Sequence, residues 1–200
     1  MPSTPVRRHH TQGLLPALLL CWVCLLAVLL PGAAHAQNVE LATLKTSRSD
    51  GGLNLEFVAR VTLPRTVEDA LRSGVPIYFV AEAQLLRNRW YWRDERVARL
   101  SRSWRVAYQP LTSTWRVGLG GFNQSYATLS EALSAASSSS GWRLADMGQL
   151  DGEKNYVVEF SYRLDTGQLP GPMQFGLAGP AGQGEWAVGV SRTLKVQLPQ

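Results

Sequence analysis

Leu53, Leu55, Phe57, Ala59, Val61 and Leu63 alternate with Asn54, Glu56, Arg60 and Thr62, and only Val58 is out of step. A period of two puts the apolar set on one face, so this stretch predicts a half-buried strand. Asp50-Gly51-Gly52 just before it supplies residues that tolerate positive φ, which predicts a hairpin turn with Val39 to Lys45 as the partner strand. A second clean alternation runs through Tyr156, Val158, Phe160, Tyr162 and Leu164, with Glu159, Ser161, Arg163 and Asp165 between them. Trp186 to Leu198 is the last strand, with Leu194, Val196 and Leu198 on one face and Thr193, Lys195 and Gln197 on the other. Val75 to Leu86, Val97 to Tyr108 and Thr112 to Leu119 are rich in β-branched and aromatic residues and predict three successive strands.

Two short helices interrupt the strands. One starts at Thr66, with Glu68 and Asp69 in its first turn and Gly74 as its stop; the other starts at Thr128, where Glu131 three residues on completes a capping box. The second is expected to run into Ser137 to Ser140 and Gly141 as a frayed end. Gln168 to Pro172 predicts an extended edge or crossover, because its prolines cannot donate to a ladder, and the glycine-rich Gly176 to Gly184 predicts a mobile surface loop. About eight strands with turn-like spacers and no long helix predict a mainly β domain, an antiparallel two-sheet β-sandwich whose two short helices connect or plug the sheets.

The N-terminus breaks the pattern. Arg7 and Arg8 precede an almost wholly apolar run from Leu14 to Leu30, and Pro31-Gly32-Ala33-Ala34-His35-Ala36 closes it. That is the order of a secretory signal, with Ala34 and Ala36 as the small residues before a cut ahead of Gln37. The run is also about long enough to be an uncleaved anchor. Either way the positive-inside tendency places residues 37–200 outside the cytoplasm, free in the periplasm after cleavage or tethered to the inner membrane without it.

Removing residues 1–36 changes the chemistry available. Both cysteines (Cys21, Cys24) and all three histidines (His9, His10, His35) leave with them. What remains has no thiolate nucleophile, no disulfide framework, no Ser-His-Asp triad and no zinc site of the His or Cys kind, and no cofactor motif. Lys plus Arg falls from 20 to 18 against 15 acids, a mildly basic balance that does not call for nucleic acid.

That basic balance is local. Arg87, Arg89, Arg93, Arg96, Arg99, Arg102 and Arg105 fall within nineteen residues with only Asp94 and Glu95 against them, and Trp90, Tyr91, Trp92, Trp104 and Tyr108 share or adjoin the window. Arginine with tryptophan and tyrosine is the composition of protein interfaces and lipid boundaries. The candidate interaction surface is therefore Arg89, Trp90, Trp92, Arg93, Arg96, Arg99, Arg102 and Arg105, on a hairpin turning near Arg93-Asp94. On a strand, an arginine every third residue sends successive side chains to opposite faces. The plainer alternative makes the tryptophans core and the arginine stems their cover. Among carboxylates, Glu82 and Glu159 lie on strands and could face each other across a cleft, whereas Glu68-Asp69, Asp94-Glu95 and Asp151-Gly152-Glu153 are explained by caps and turns.

At Arg89-Trp90-Tyr91-Trp92-Arg93-Asp94-Glu95, at Leu111-Thr112-Ser113-Thr114-Trp115-Arg116-Val117 and at Leu164-Asp165-Thr166-Gly167-Gln168-Leu169-Pro170, the chain resembles the exported bacterial domain-of-unknown-function family numbered 4390. The resemblance covers most of residues 37–200. It implies a signal-bearing envelope protein without assigned activity, often encoded beside a membrane sensor kinase of the nitrogen-regulation type, and it carries over no catalytic residues. The family has a bulkier, often basic residue near Gly171 and an aromatic near Met173, where this chain departs from it. The leading expectation is a non-enzymatic periplasmic interaction or accessory domain binding a membrane or envelope protein, with anionic lipid as a second kind of surface. A carboxylate-dependent hydrolase of envelope glycans and a small-ligand carrier are the alternatives. N-terminal sequencing of the exported protein should find a start at Gln37; an intact Met1 or Pro2 would refute cleavage.

Overall fold

The computed structural model describes residues 38–89, 94–152, 155–176 and 184–196, without the side chains of Pro172, Phe175 and Gly176. The chain divides between Ala36 and Gln37 into two units, and the described residues belong to the second. The N-terminal apolar run and most of the glycine-rich loop lie outside them. None of the described helices is long and apolar enough to cross a membrane.

The described chain is mainly β, in two antiparallel sheets. It runs β1 (Val39–Ser49), β2 (Gly52–Val61), α1 (Arg65–Arg72), β3 (Ile77–Arg87), β4 (Glu95–Gln109), β5 (Thr114–Leu119), β6 (Phe122–Tyr126), α2 (Leu129–Ala136), β7 (Ser138–Asp146), β8 (Tyr156–Leu164), α3 (Gly171–Gly176) and β9 (Gly189–Val196). One sheet has the order β1-β2-β7 and the other β6-β5-β4-β3-β8-β9. This is the expected two-sheet sandwich, with nine strands where about eight were expected. The Asp50-Gly51 turn is as predicted, both residues at positive φ (52° and 71°) between Ser49 and Gly52.

A three-stranded sheet is too narrow to cover six strands, and α2 makes up the difference. It packs on the inner side of β4, β5 and β6 as well as on β2, burying Ala132, Leu133 and Ala136. Its N-terminus carries the predicted capping box: Glu131 N–H donates to Thr128 Oγ1 and Thr128 N–H to Glu131 Oε2, each at 3.2 Å. At its other end the buried Tyr162 hydroxyl donates to the Ala136 carbonyl at 3.0 Å. Burial pushes this phenol well above its ordinary range, so it stays a donor.

Three local expectations are corrected. Ser138 to Ser140 begins β7 instead of fraying from α2; Ser137 is buried, its hydroxyl donating to Ala59 O at 2.8 Å while Ala59 N–H donates to Ser137 O, so pairing with β2 captures the serines. The first helix starts at Arg65 with Pro64 as its N-cap, not at Thr66; Val67 and Glu68 N–H both donate to the Pro64 carbonyl. The Gln168–Pro172 stretch is not extended: after a 3₁₀ turn at Thr166–Gln168 the chain enters α3, Pro170 O accepting from Met173 and Gln174 N–H. Proline costs nothing in a first turn, where its missing N–H would have no helical partner. The sequence reading also passed over β6, although Gly120-Gly121 is a hairpin signal as plain as Asp50-Gly51.

The inward faces meet in a cluster of aromatic rings around Phe57 of β2, which is wholly buried. Its ring lies 4.8 Å from Phe160, 5.7 Å from Tyr162, 5.9 Å from Trp104 and 6.5 Å from Trp142, and Phe79 stacks on Tyr162 at 5.4 Å. Three of Phe57's four partners belong to the opposite sheet. Phe57→Ala should destabilise the domain by about 3–5 kcal/mol, read as a lower urea midpoint at unchanged slope.

Candidate functional site

Strand parity decides which arginines share a surface. On β3 the odd residues from Ile77 to Leu85 are buried and face the small sheet, while Tyr78, Glu82 and Gln84 face the other way. β4 pairs with β3 through Phe79↔Trp104 and Ala81↔Arg102, so the even residues of that part of β4 point inward and Arg99 and Arg105 outward. A β-bulge lies between the pairs Leu85↔Ala98 and Leu86↔Arg96, with Val97 as the extra residue. It shifts parity by one and turns Arg96 to the face of Arg99 and Arg105.

The period-three expectation of alternating faces is therefore modified at Arg96. Of the described β4 arginines, only Arg102 turns inward. It donates to Ser139 Oγ of β7 at 2.6 Å, lies 5.1 Å over the Trp142 ring, and has its pKa lowered by burial. Arg89 belongs to a third environment, the base of the β3–β4 hairpin. There Arg89 and Arg87 both pair with Glu95, Arg89 N–H donates to Asp94 Oδ1 at 3.3 Å, and Arg87 donates to Tyr156 Oη. Trp90, Trp92 and Arg93 lie outside the described residues. Trp104 is core, 2% exposed, as the plainer reading of the tryptophans had it.

The outward face gains two arginines that sequence reasoning missed. Arg116 of β5 sits opposite Ala107, and Arg163 of β8 opposite Val80. Each lies between two buried residues of its own strand (Trp115 and Val117, Tyr162 and Leu164), and that alternation was the signal that could have found them. Glu82 takes two of the five: Arg99 Nη2 at 3.2 Å and Arg163 Nη2 at 3.0 Å. Arg96, Arg105 and Arg116 are exposed and have no carboxylate within ion-pair distance among the described residues. Ser101, Ser103, Ser161 and Gly118 on the same face are small, while Tyr78 lies opposite Arg105 and Gln84 opposite Arg99.

Glu82 and Glu159 lie side by side on one sheet face, where both line a solvent-open groove of about 470 Å³ with Gln84, Ser161 and Arg192. They are diagonal neighbours in the β3–β8 ladder, Glu82 opposite Ser161 and Glu159 opposite Gln84. A groove of about 840 Å³ opens to solvent between the end of β8 and β9 and is lined by Arg163, Thr166, Gln174, Trp186 and Val188. Among the described residues no group of three or more His, Cys, Asp or Glu could hold a metal ion.

Residues 36–194 match the family described as Domain of unknown function (DUF4390). The chain belongs to that family. Its match spans β1 to β9 up to Leu194, so both sheets and the outward arginines lie within the DUF4390 region. No curated protein matches the chain. No solved structure matches it.

Arg102→Ala should cost roughly 1–2 kcal/mol through its lost stem packing and the unpaired Ser139 hydroxyl. Arg105→Ala, on the outward face, should stay within about 0.5 kcal/mol. Equal losses in thermal melts would contradict the assignment of the two side chains to opposite faces.

Proposed function

We propose that this DUF4390 domain is a non-enzymatic interaction module of the cell envelope, which docks the outward arginine face of its six-stranded sheet against an acidic surface of a membrane protein. The carrying observation is the parity of β4: with its bulge it brings Arg96, Arg99 and Arg105 to one face, where Arg116 and Arg163 join them and Glu82 is the only acid paired with them among the described residues. A surface on which three of five arginines have no carboxylate partner among the described residues is complementary to an anionic one and steers its approach. A membrane sensor kinase of the nitrogen-regulation type is the partner the family resemblance suggests.

Two features weigh against the other readings. Glu82 is engaged by two arginines on an open face, which suits a structural ion pair better than a glycosidase acid in a cleft. The space between the sheets is filled by the Phe57 ring cluster, and a carrier needs an enclosed apolar pocket there.

Arg96, Arg105 and Arg116 replaced together by glutamate should leave the melting temperature within about 3 °C of wild type. The same variant should lower co-purification with a membrane sensor kinase of the nitrogen-regulation type by about tenfold or more, and raised salt should weaken the wild-type association. Retained co-purification would sink the reading. Loss of binding to phosphatidylglycerol vesicles, with no kinase captured by either protein, would reassign the face to lipid.

A further inference from the structure

Of the strands that end the two sheets, β6 is the one whose edge nothing guards among the described residues. β1 carries a bulge at Leu41/Thr43 and the charged Glu40, Lys45 and Arg48, and packs beside β9. β7 has two irregularities in its ladder and Arg143. β9 carries Arg192 and Lys195. β6 reads Phe-Asn-Gln-Ser-Tyr, without charge, proline or bulge; its ladder to β5 is unbroken, and Phe122 is 85% exposed. Charges, prolines and bulges are what normally keep an edge from pairing with another chain.

The occupant is readable from the edge itself. Gly120 and Gly121, at φ 54° and 91°, form a two-residue turn in which the flanking Leu119 and Phe122 are the hydrogen-bonded pair. Alternation then directs the N–H and C=O of Phe122, Gln124 and Tyr126 toward β5 and those of Asn123 and Ser125 toward the free edge. Two β6 strands laid antiparallel about an axis through Gln124 put Asn123 of each opposite Ser125 of the other, giving four backbone hydrogen bonds. Phe122 then faces Tyr126 of the second copy, an aromatic cross-strand pair. The nearest cation, Arg116, is one strand back, about 14 Å from its counterpart at ordinary strand spacing and beyond the screening length of about 8 Å. The Asn123 side chain is folded back over β5, where a Cβ on Gly118 would come within 2.9 Å of its Oδ1, so the missing side chain of Gly118 lets Asn123 lie back over its own sheet.

The geometry points to a twofold dimer in which β6 pairs with β6 of a second copy, merging two six-stranded sheets into one of twelve strands. It stands on the edge alone and holds whether or not the arginine face binds a membrane protein. The seam is small beside the ~1,200 Å² of stable interfaces, so association depends on concentration.

Cysteine placement tests the register. In a chain with Cys21 and Cys24 replaced by alanine, Gln124→Cys would sit on the axis at a non-hydrogen-bonded pair, with Cα atoms about 4.5 Å apart. Asn123→Cys and Ser125→Cys would lie about 8 Å or more from their own counterparts, outside disulfide reach. Mild oxidation should give at least about tenfold more covalent dimer from Gln124→Cys than from either neighbour. In sedimentation equilibrium the cysteine-free protein should shift toward twice its monomer mass with rising concentration. Ser125→Pro, which removes an outward N–H and spares the β5 ladder, and Phe122→Glu should both stay monomeric at wild-type melting temperature. A monomer up to roughly 300 µM, or equal cross-linking at residues 123, 124 and 125, would overturn the dimer.

Discussion

The domain depends on one ring. Phe57 comes from the middle strand of the small sheet and reaches three aromatic side chains of the large one, Phe160, Tyr162 and Trp104, within 6 Å. Because sheets pack about 10 Å apart through interdigitated side chains, this contact sets the spacing of the sandwich. Tyr162 then carries the constraint outward, since its buried hydroxyl holds the C-terminal carbonyl of α2 and α2 roofs the part of the large sheet that the small sheet leaves uncovered. With no cysteine after Cys24, nothing covalent substitutes for that packing.

Packing on one face also dictates chemistry on the other. Once Phe79, Trp104, Val117 and Tyr162 are committed inward, every second residue of β3, β4, β5 and β8 must point away from the core. The arginines of three strands are collected on the outward side by that commitment. Arg102, the β4 arginine of inward parity, lies where the small sheet supplies a serine hydroxyl and a tryptophan face instead of a carboxylate.

The sheet class, the two amphipathic strands, the Asp50-Gly51 hairpin and the Thr128 cap were legible because each is written in local residues: period two, positive-φ residues, a cap with its glutamate. β7 was not, because Ser138 to Ser140 carry no strand signal of their own and become a strand by pairing with β2, after Ser137 has bonded to Ala59 nearly eighty residues away in the chain. The candidate surface was half legible. Clustering picked out the β4 arginines; alternation marks Arg116 and Arg163 as outward on their own strands, but ladder register is what sets them beside the β4 arginines and takes Arg102 away, and the tie of Arg89 to Glu95 is a tertiary ion pair. Period three in the sequence said nothing about the bulge, since Val97 looks like any other strand residue.

Val97 gives this surface an unusual kind of fragility. What directs the chain on the hairpin side of the bulge is whether Val97 is held out of the ladder. A straight ladder that kept Val97 opposite Leu86 would put Arg96 opposite Arg87, in the inward set, and expel Glu95 from its knot with Arg87 and Arg89, whereas deleting Val97 would leave Arg96 opposite Leu86 and facing outward. Along this hairpin the outward set thus depends on Val97 staying out of the ladder, and the Glu95 knot on the far side of the bulge is the contact that keeps it there.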